Sequence, residues 1–458
     1  MILNQASFRD PVGRVYEQNN RVFRNVNNSH REFFNRFLSS AFFTQNRKKI
    51  VDTKFIDSIP GEKKKPTTTF WLEHEKIELI TYPHEWGFET LKRVALFHLQ
   101  LQKEAFAEGF VLKDASPYNV QLKDGEPIFI DLLSFEDYRE GSFWYGYNQF
   151  CDNFLNPLLI RSFSGIEHNQ FFRGSIDGIN TKITSKLLPM RSWLSYNAVA
   201  HVHLKAWAER KVDSTFSGLL LPPQSGVSSK NLIALWESLA RFIDKLKVRE
   251  KTYWGDYENN TSYSVVSENA KSQLIARFIS KNGLQTVVDL GCNSGRYSRI
   301  SLKNGAKRVI GLDFDGVAVD KANSDNFLRK QNFIALQFDL MNPSPAIGWK
   351  NRERVTLFDR LPQVDAVICL ALIHHICIAK NVPIADFVKF LFTLSDIVLV
   401  EFVPKTDPMV KGLLSRRVDV FSDYSEETFK EALLKFGKIL ETHHIEGSER
   451  KVYICQSK

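Results

Sequence analysis

Cysteine is scarce and scattered in this chain of 458 residues: the five present, at 151, 292, 369, 377 and 455, are odd in number and lack the paired spacing of a zinc site. That excludes a disulfide scaffold and a structural zinc module, and it leads us to expect reduced thiols in a cytoplasmic protein. Long apolar runs are missing too. No window of eighteen residues is apolar and free of charge, so a transmembrane segment is not expected. The first ten residues lack the charged-then-apolar order of a secretory signal. Internal repeats and low-complexity tracts are absent. Positive charge is present but thinly spread, with a net charge of +9 and a pI near 9.1. Its one dense run, Lys63-Lys64-Lys65 before Pro66, reads as an exposed turn. Without a dense basic stripe, an appended RNA-binding module or an Asp-Pro-Pro-Tyr loop, there is no strong nucleic-acid signal. The length and the 43% hydrophobic content suit two or three ordinary buried cores.

What is there is concentrated in two stretches. The first is Val287-Val288-Asp289-Leu290-Gly291-Cys292-Asn293-Ser294-Gly295-Arg296, a β-branched run followed by a glycine turn and a helix start. Gly291 and Gly295 let the backbone approach a ligand, and the N–H groups that open the helix face the same spot. A second strand, 308–313, ends in Asp313, twenty-four residues after Asp289, where an acid accepts hydrogen bonds from ribose hydroxyls in a doubly wound sheet. Positions 293 and 296 hold Asn293 and Arg296 where a dinucleotide fingerprint needs glycine, which disfavours NAD.

This loop resembles the first motif of the class I S-adenosylmethionine-dependent methyltransferases. The resemblance implies cofactor contacts for Asp289, Gly291, Asn293, Gly295 and Asp313, and for Asp339 at the end of a third strand, 333–338. Residues 365–375 look like that family's fourth strand, ending in His374 and His375 beside the methyl acceptor, and 396–402 like its fifth. An acceptor that must lose a proton needs a base, and His374 or His375, with Glu401 behind them, stand at the carboxyl end of the sheet where ligands bind. Trp254, Tyr257 or Tyr263 is placed to act as a lid, and 407–417 to cover the acceptor.

The second stretch is Phe110-Val111-Leu112-Lys113-Asp114-Ala115-Ser116-Pro117-Tyr118-Asn119, followed by Asp131. Asp, Asn five residues on and Asp twelve beyond resemble the catalytic loop and metal-binding acid of the protein-kinase and aminoglycoside-phosphotransferase superfamily. The resemblance implies Asp114 as base, Asn119 and Asp131 as Mg²⁺ ligands, and ATP as nucleotide. Upstream, 11–26 reads as a hairpin turning at Asn19-Asn20, 31–43 and 86–109 as helices, and 70–81 as a strand pair. Arg24 stands where the superfamily's strand lysine is expected, and arginine binds phosphate in a different geometry. The aromatic-rich stretch 141–215 reads as helical core.

A break at 219–230 divides an expected kinase-like domain, 1–222, from a methyltransferase domain, 223–458, whose lead-in helix is 231–248. The expected fold class is therefore α/β: a C-terminal doubly wound, Rossmann-like methyltransferase domain preceded by an α+β, two-lobed kinase-like domain. The whole resembles bacterial two-part methyltransferases, some labelled nodulation host-specificity proteins, on 113–120, 342–349 and 372–375. The expected function is methyl transfer from S-adenosylmethionine to a small-molecule or glycan acceptor. A bifunctional kinase-methyltransferase acting on a glycan and a non-catalytic cofactor-binding scaffold or sensor are the alternatives.

Overall fold

The computed structural model describes residues 1–56, 58–59, 68–214, 226–250, 252, 265–415 and 418–458, without the side chains of 212–214 and 265. The Lys63–Lys65 run, the expected boundary at 222/223, the lid candidates Trp254, Tyr257 and Tyr263, and Arg417 lie outside those residues. Two compact units form: residues 1–249 with 345–355, and residues 250–344 with 356–458.

The first unit opens with five antiparallel strands, β1 (Ile2–Leu3), β2 (Gly13–Gln18), β3 (Arg21–Asn27), β4 (Thr53–Ile56) and β5 (Thr69–His74), in the order β1-β2-β3-β5-β4. The β2–β3 turn holds Asn19 and Asn20 at φ 49° and 59°, the left-handed pair that a tight hairpin requires and asparagine tolerates. Residues 31–43 are two helices, Arg31–Ser39 and Ala41–Gln45, because Ser40 turns extended and its side chain caps the Phe43 N–H. Only Thr69–His74 of 70–81 is strand; it pairs with β3 and β4 rather than with its own continuation. Helix Phe88–Ala107 buries Leu91, Val94 and Leu99 at helical spacing. Four short strands follow: β6 (Phe110–Leu112), β7 (Val120–Lys123), β8 (Glu126–Phe129) and β9 (Phe135–Asp137), with β6 on β9 and β7 on β8. Phe150, Phe154 and Phe172 of the aromatic-rich stretch are core.

Helix Ser229–Lys245 belongs to this first unit, not to the second as its position after the break implied. Trp236 is the reason. It is fully buried edge-on to Phe106 and Trp144, with ring centroids 5.0 and 5.9 Å away.

The second unit is built on β10 (Thr286–Leu290), β11 (Arg308–Asp313), β12 (Phe333–Gln337), β13 (Ala366–Cys369), β14 (Ile397–Phe402), β15 (Gly437–His444) and β16 (Lys451–Ser457). Their order is β12-β11-β10-β13-β14-β16-β15, parallel through β14, with β16 antiparallel to both neighbours. β10, β11, β13 and β14 are near-continuously buried, as strands covered by helices on both faces must be. The strand order reverses between β10 and β13, which opens a crevice at their carboxyl ends.

Candidate functional site

The glycine loop lies at that reversal. Gly291 and Cys292 donate their N–H groups to Leu312 O (2.8 and 3.2 Å), clamping the turn to β11. Asp313 accepts from the Asn293 N–H at one carboxylate oxygen (2.8 Å) and from the Asp315 N–H at the other (2.9 Å). Asn293 has φ 48°, and the Ser294 N–H bonds back to its side-chain oxygen. Asparagine thus meets the left-handed demand where the related motif has glycine.

The two glycines do different work. A Cβ on Gly291 would meet the Leu372 side chain at 3.5 Å, an ordinary contact, so the left-handed φ of 74° rather than crowding is what calls for glycine there. A Cβ on Gly295 would lie 2.3 Å from the Phe333 ring. Gly295 therefore makes room for packing between helix and sheet.

Asp289 is buried and accepts from Ser298 Oγ at 2.6 Å, tying the strand end to the first turn of helix Arg296–Lys303. Burial pushes its carboxyl up to about 6, against the Ser298 bond. Burial likewise pushes Asp313 up to about 6, opposed by the N–H groups of Asp315 and Asn293. Among the described residues neither acid forms an ion pair with a cation. A carboxylate held only by neutral donors suits a ligand that brings neutral hydroxyls, and this is the fit expected of a ribose. Asp339 sits half-buried beyond β12 and accepts the Met341 N–H at 2.8 Å.

Past β13 the backbone turns through Ala371 at φ 50°, a strained value for alanine, and its N–H donates to Glu401 at 2.7 Å. Glu401 is wholly buried, 2.6 Å from Lys271 Nζ and 3.8 Å from Arg450, which in turn binds Asp407 at 2.7 and 3.0 Å. Burial lowers the Lys271 ammonium, against the pull of Glu401. Glu401 and Asp407 are thus committed to holding the loop and capping helix Pro408–Leu414. Sequence reasoning missed Lys271 and Arg450, since a charge on a helix or in a polar turn normally faces water.

His374 is 1% exposed, with neither ring nitrogen hydrogen-bonded and its ring 4.1 Å from that of His375. Burial, then the positive surroundings, push His374 far below the ordinary imidazole range and the half-buried His375 to about 4. Both are neutral at physiological pH.

In the first unit, Asp114, Asn119 and Asp131 come together, and Arg24 joins them. Arg24 pairs with Asp131 and stands 3.7 Å from Asp10. The other Asp131 oxygen accepts from Ser134 Oγ at 2.7 Å, and Ser134 Oγ accepts from the Asn119 amide at 3.1 Å. Burial raises the Asp131 carboxyl, but the charge and hydrogen bond of Arg24, with Ser134, outweigh it and hold Asp131 below its ordinary value. Asp114, which accepts the Ser116 N–H at 2.9 Å, is raised by burial and by Asp131 nearby. Arg24 and Ser134 each engage one Asp131 oxygen, and among the described residues no three His, Cys, Asp or Glu side chains form a metal-holding group. Nor is any helix there long and apolar enough to cross a membrane.

Residues 273–377 match the family model of ribosomal protein L11 methyltransferase (PrmA). The nodulation protein NoeA of Rhizobium meliloti (strain 1021) is 38% identical over 462 residues, which cover 98% of this chain and 94% of NoeA. Among solved structures, magnesium protoporphyrin IX methyltransferase from Synechocystis PCC 6803 with bound SAH is 18% identical at a TM-score of 0.31, over 45% of this chain and 97% of that one. The bifunctional kinase-methyltransferase WbdD is 16% identical at a TM-score of 0.30, over 48% of this chain and 46% of that one.

Proposed function

The chain belongs to the family of the nodulation protein NoeA and is an S-adenosylmethionine-dependent methyltransferase, and we propose that its second unit methylates a small-molecule or glycan acceptor at the carboxyl ends of β10, β13 and β14. The observation that carries this reading is Asp313, pinned by two backbone N–H groups beside a glycine turn and, among the described residues, without a cation to neutralise it. When bound, the cofactor supplies an electrophilic methyl group on a sulfonium. Asp313 accepts hydrogen bonds from neighbouring ribose hydroxyls, and Asp289 and Ser298 keep the turn in place to receive them. Gly291 lets the backbone of the turn approach the ligand, while Asp339, beyond the end of β12, stands for the base. On the acceptor side, the Lys271–Glu401–Arg450–Asp407 network fixes the Ala371 turn and with it the two histidines. A neutral imidazole of such low basicity orients an acceptor by hydrogen bonding rather than by taking a full proton at neutral pH. Positioning is then the main contribution, as suits an in-line displacement.

Calorimetric titration with S-adenosylmethionine tests this. The folded wild type binds, and Asp313→Ala, losing two hydrogen bonds to a charged group, weakens binding by about a hundredfold or more. A well-folded wild type that does not bind would overturn the cofactor site. Binding without turnover of any acceptor would favour a scaffold or sensor.

For the first unit we propose a kinase-like module that binds rather than phosphorylates. The chain of contacts from Arg24 through Asp131, Ser134 and Asn119 toward Asp114 supports the likeness, and the ion pair of Asp131 with Arg24, a fixed cation at the metal-binding acid, supports the loss of metal chemistry. ATP–Mg²⁺ binding abolished by Asp131→Ala would favour a bifunctional enzyme instead.

A further inference from the structure

Residues 345–355 interrupt the second half of the sequence yet fold as part of the first unit. They form a short loop closed by paired backbone hydrogen bonds between Ile347 and Arg354, of 2.9 and 3.0 Å. Three residues of the loop are left-handed: Gly348 at φ 81°, Lys350 at 57° and Asn351 at 53°. At its centre is Glu353, whose side chain is completely buried. It accepts Arg9 Nε at 2.5 Å, Arg9 Nη2 at 3.1 Å and the Trp349 N–H at 3.0 Å. A Cβ on Gly348 would lie 2.6 Å from this carboxylate, so only glycine fits. The Arg354 guanidinium lies 4.3 Å from the centroid of Tyr118, which anchors the loop to the Asp114–Asn119 turn.

So much fixing presents a tryptophan to solvent. Trp349 is 63% exposed, and with Phe8, Arg9, Lys350, Asp177 and residues 174–176 it lines a cavity of about 500 Å³. An exposed indole on a rigidly held loop is a ready stacking surface, and the volume suits a ligand of a few rings. The charges decide which ligand. Of the charged residues that line the cavity, Arg9 is paired with the buried Glu353, and Lys350 and Asp177 are of opposite sign, so the lining itself is close to neutral. An anion gains little there. A neutral ligand with apolar C–H faces and many hydroxyls finds aromatic faces ringed by both donors and acceptors.

We propose that this cavity binds a neutral oligosaccharide, with one sugar ring stacked on Trp349 and its hydroxyls shared between Asp177 and the cationic side chains. The site lies wholly within the first unit and does not depend on methyl transfer.

The test is calorimetry on the full chain with cellotetraose, chitotetraose, maltotetraose and mannotetraose, and with inorganic phosphate and a sulfated oligosaccharide as anionic probes. At least one neutral tetrasaccharide saturates the protein in the micromolar to millimolar range, about −4 to −8 kcal/mol. Trp349→Ala weakens it by about tenfold and leaves S-adenosylmethionine affinity unchanged. Should that variant lose thermal stability, Asp177→Asn, at an exposed side chain, reads the same site with a several-fold loss. Saturation by no neutral oligosaccharide, indifference to both substitutions, or tighter binding of an anionic probe would each overturn the proposal.

Discussion

Asp313 at the end of β11 and Asp131 just beyond β8 are both candidate ligand-binding acids, and their surroundings push them in opposite directions. Asp313 has only neutral N–H partners among the described residues, and burial lifts its carboxyl to about 6. Asp131 has Arg24, and is held below its ordinary value. A carboxylate kept without a counter-charge is poorly solvated until a ligand supplies donors, so it is poised to bind. One already paired with a guanidinium has what a metal or phosphate-bound cation would have offered. The two acids therefore mark an open site and a closed one.

Breaking the closed pair has the largest effect. Arg24→Met leaves Asp131 uncompensated, and we expect a loss of about 3 kcal/mol, near the low end for buried pairs because 21% of the Asp131 side chain is exposed. Urea unfolding of the full chain reads it as a transition of the first unit moving to lower denaturant while the S-adenosylmethionine affinity stays put. Pairing the change with Asp131→Leu, which removes the stranded charge, recovers most of the loss. Equal losses in the single and double variants would show that Arg24 acts through packing alone.

Acid sharpens the comparison by a smaller step. For Asp313 and Asp289 the folded pKa is raised from about 4 to about 6, so the stability they lend is complete below about 4 and is lost as pH rises to about 6. Asp131 is lowered, so its contribution is complete above about 4 and fails only as pH falls below that. Binding to Asp313 needs the ionised form. S-adenosylmethionine affinity is therefore expected to be level above pH 7 and about tenfold weaker at pH 5, where roughly a tenth of Asp313 is ionised. Calorimetry at pH 5, 6 and 7 measures this slope, and Asp313→Asn flattens it. A pH-independent affinity in the wild type would mean that Asp313 does not face the ligand.

The strands that carry Asp289 and Asp313 were legible in the sequence because local chemistry writes them. A strand expected at 308–313 is found at Arg308–Asp313, since a β-branched run ending in an acid has one sensible reading. The closed site was half legible: Asp114, Asn119 and Asp131 stand out by spacing, but nothing along the chain announces that Arg24, on a hairpin 107 residues earlier, meets Asp131. The same limit hid Trp236 and the 345–355 loop, which pack with residues far away in sequence. Lys271, Glu401 and Arg450 make the point again, for a buried charge cluster has no periodic signature.

Asn293 carries the smallest expected effect. At φ 48° it occupies the position where the methyltransferase motif favours glycine, and glycine would relieve the left-handed strain. The same substitution removes the side-chain oxygen that holds the Ser294 N–H at 2.7 Å and loosens the unfolded chain, both of which oppose the gain. The Asn293 N–H that reaches Asp313 belongs to the backbone and survives. Asn293→Gly is thus expected to change stability by less than about 1 kcal/mol and S-adenosylmethionine affinity by less than about threefold. A loss as large as that of Asp313→Ala would instead make the Asn293 side chain a direct partner of the ligand, and the open site would depend on a side chain that its motif does not require.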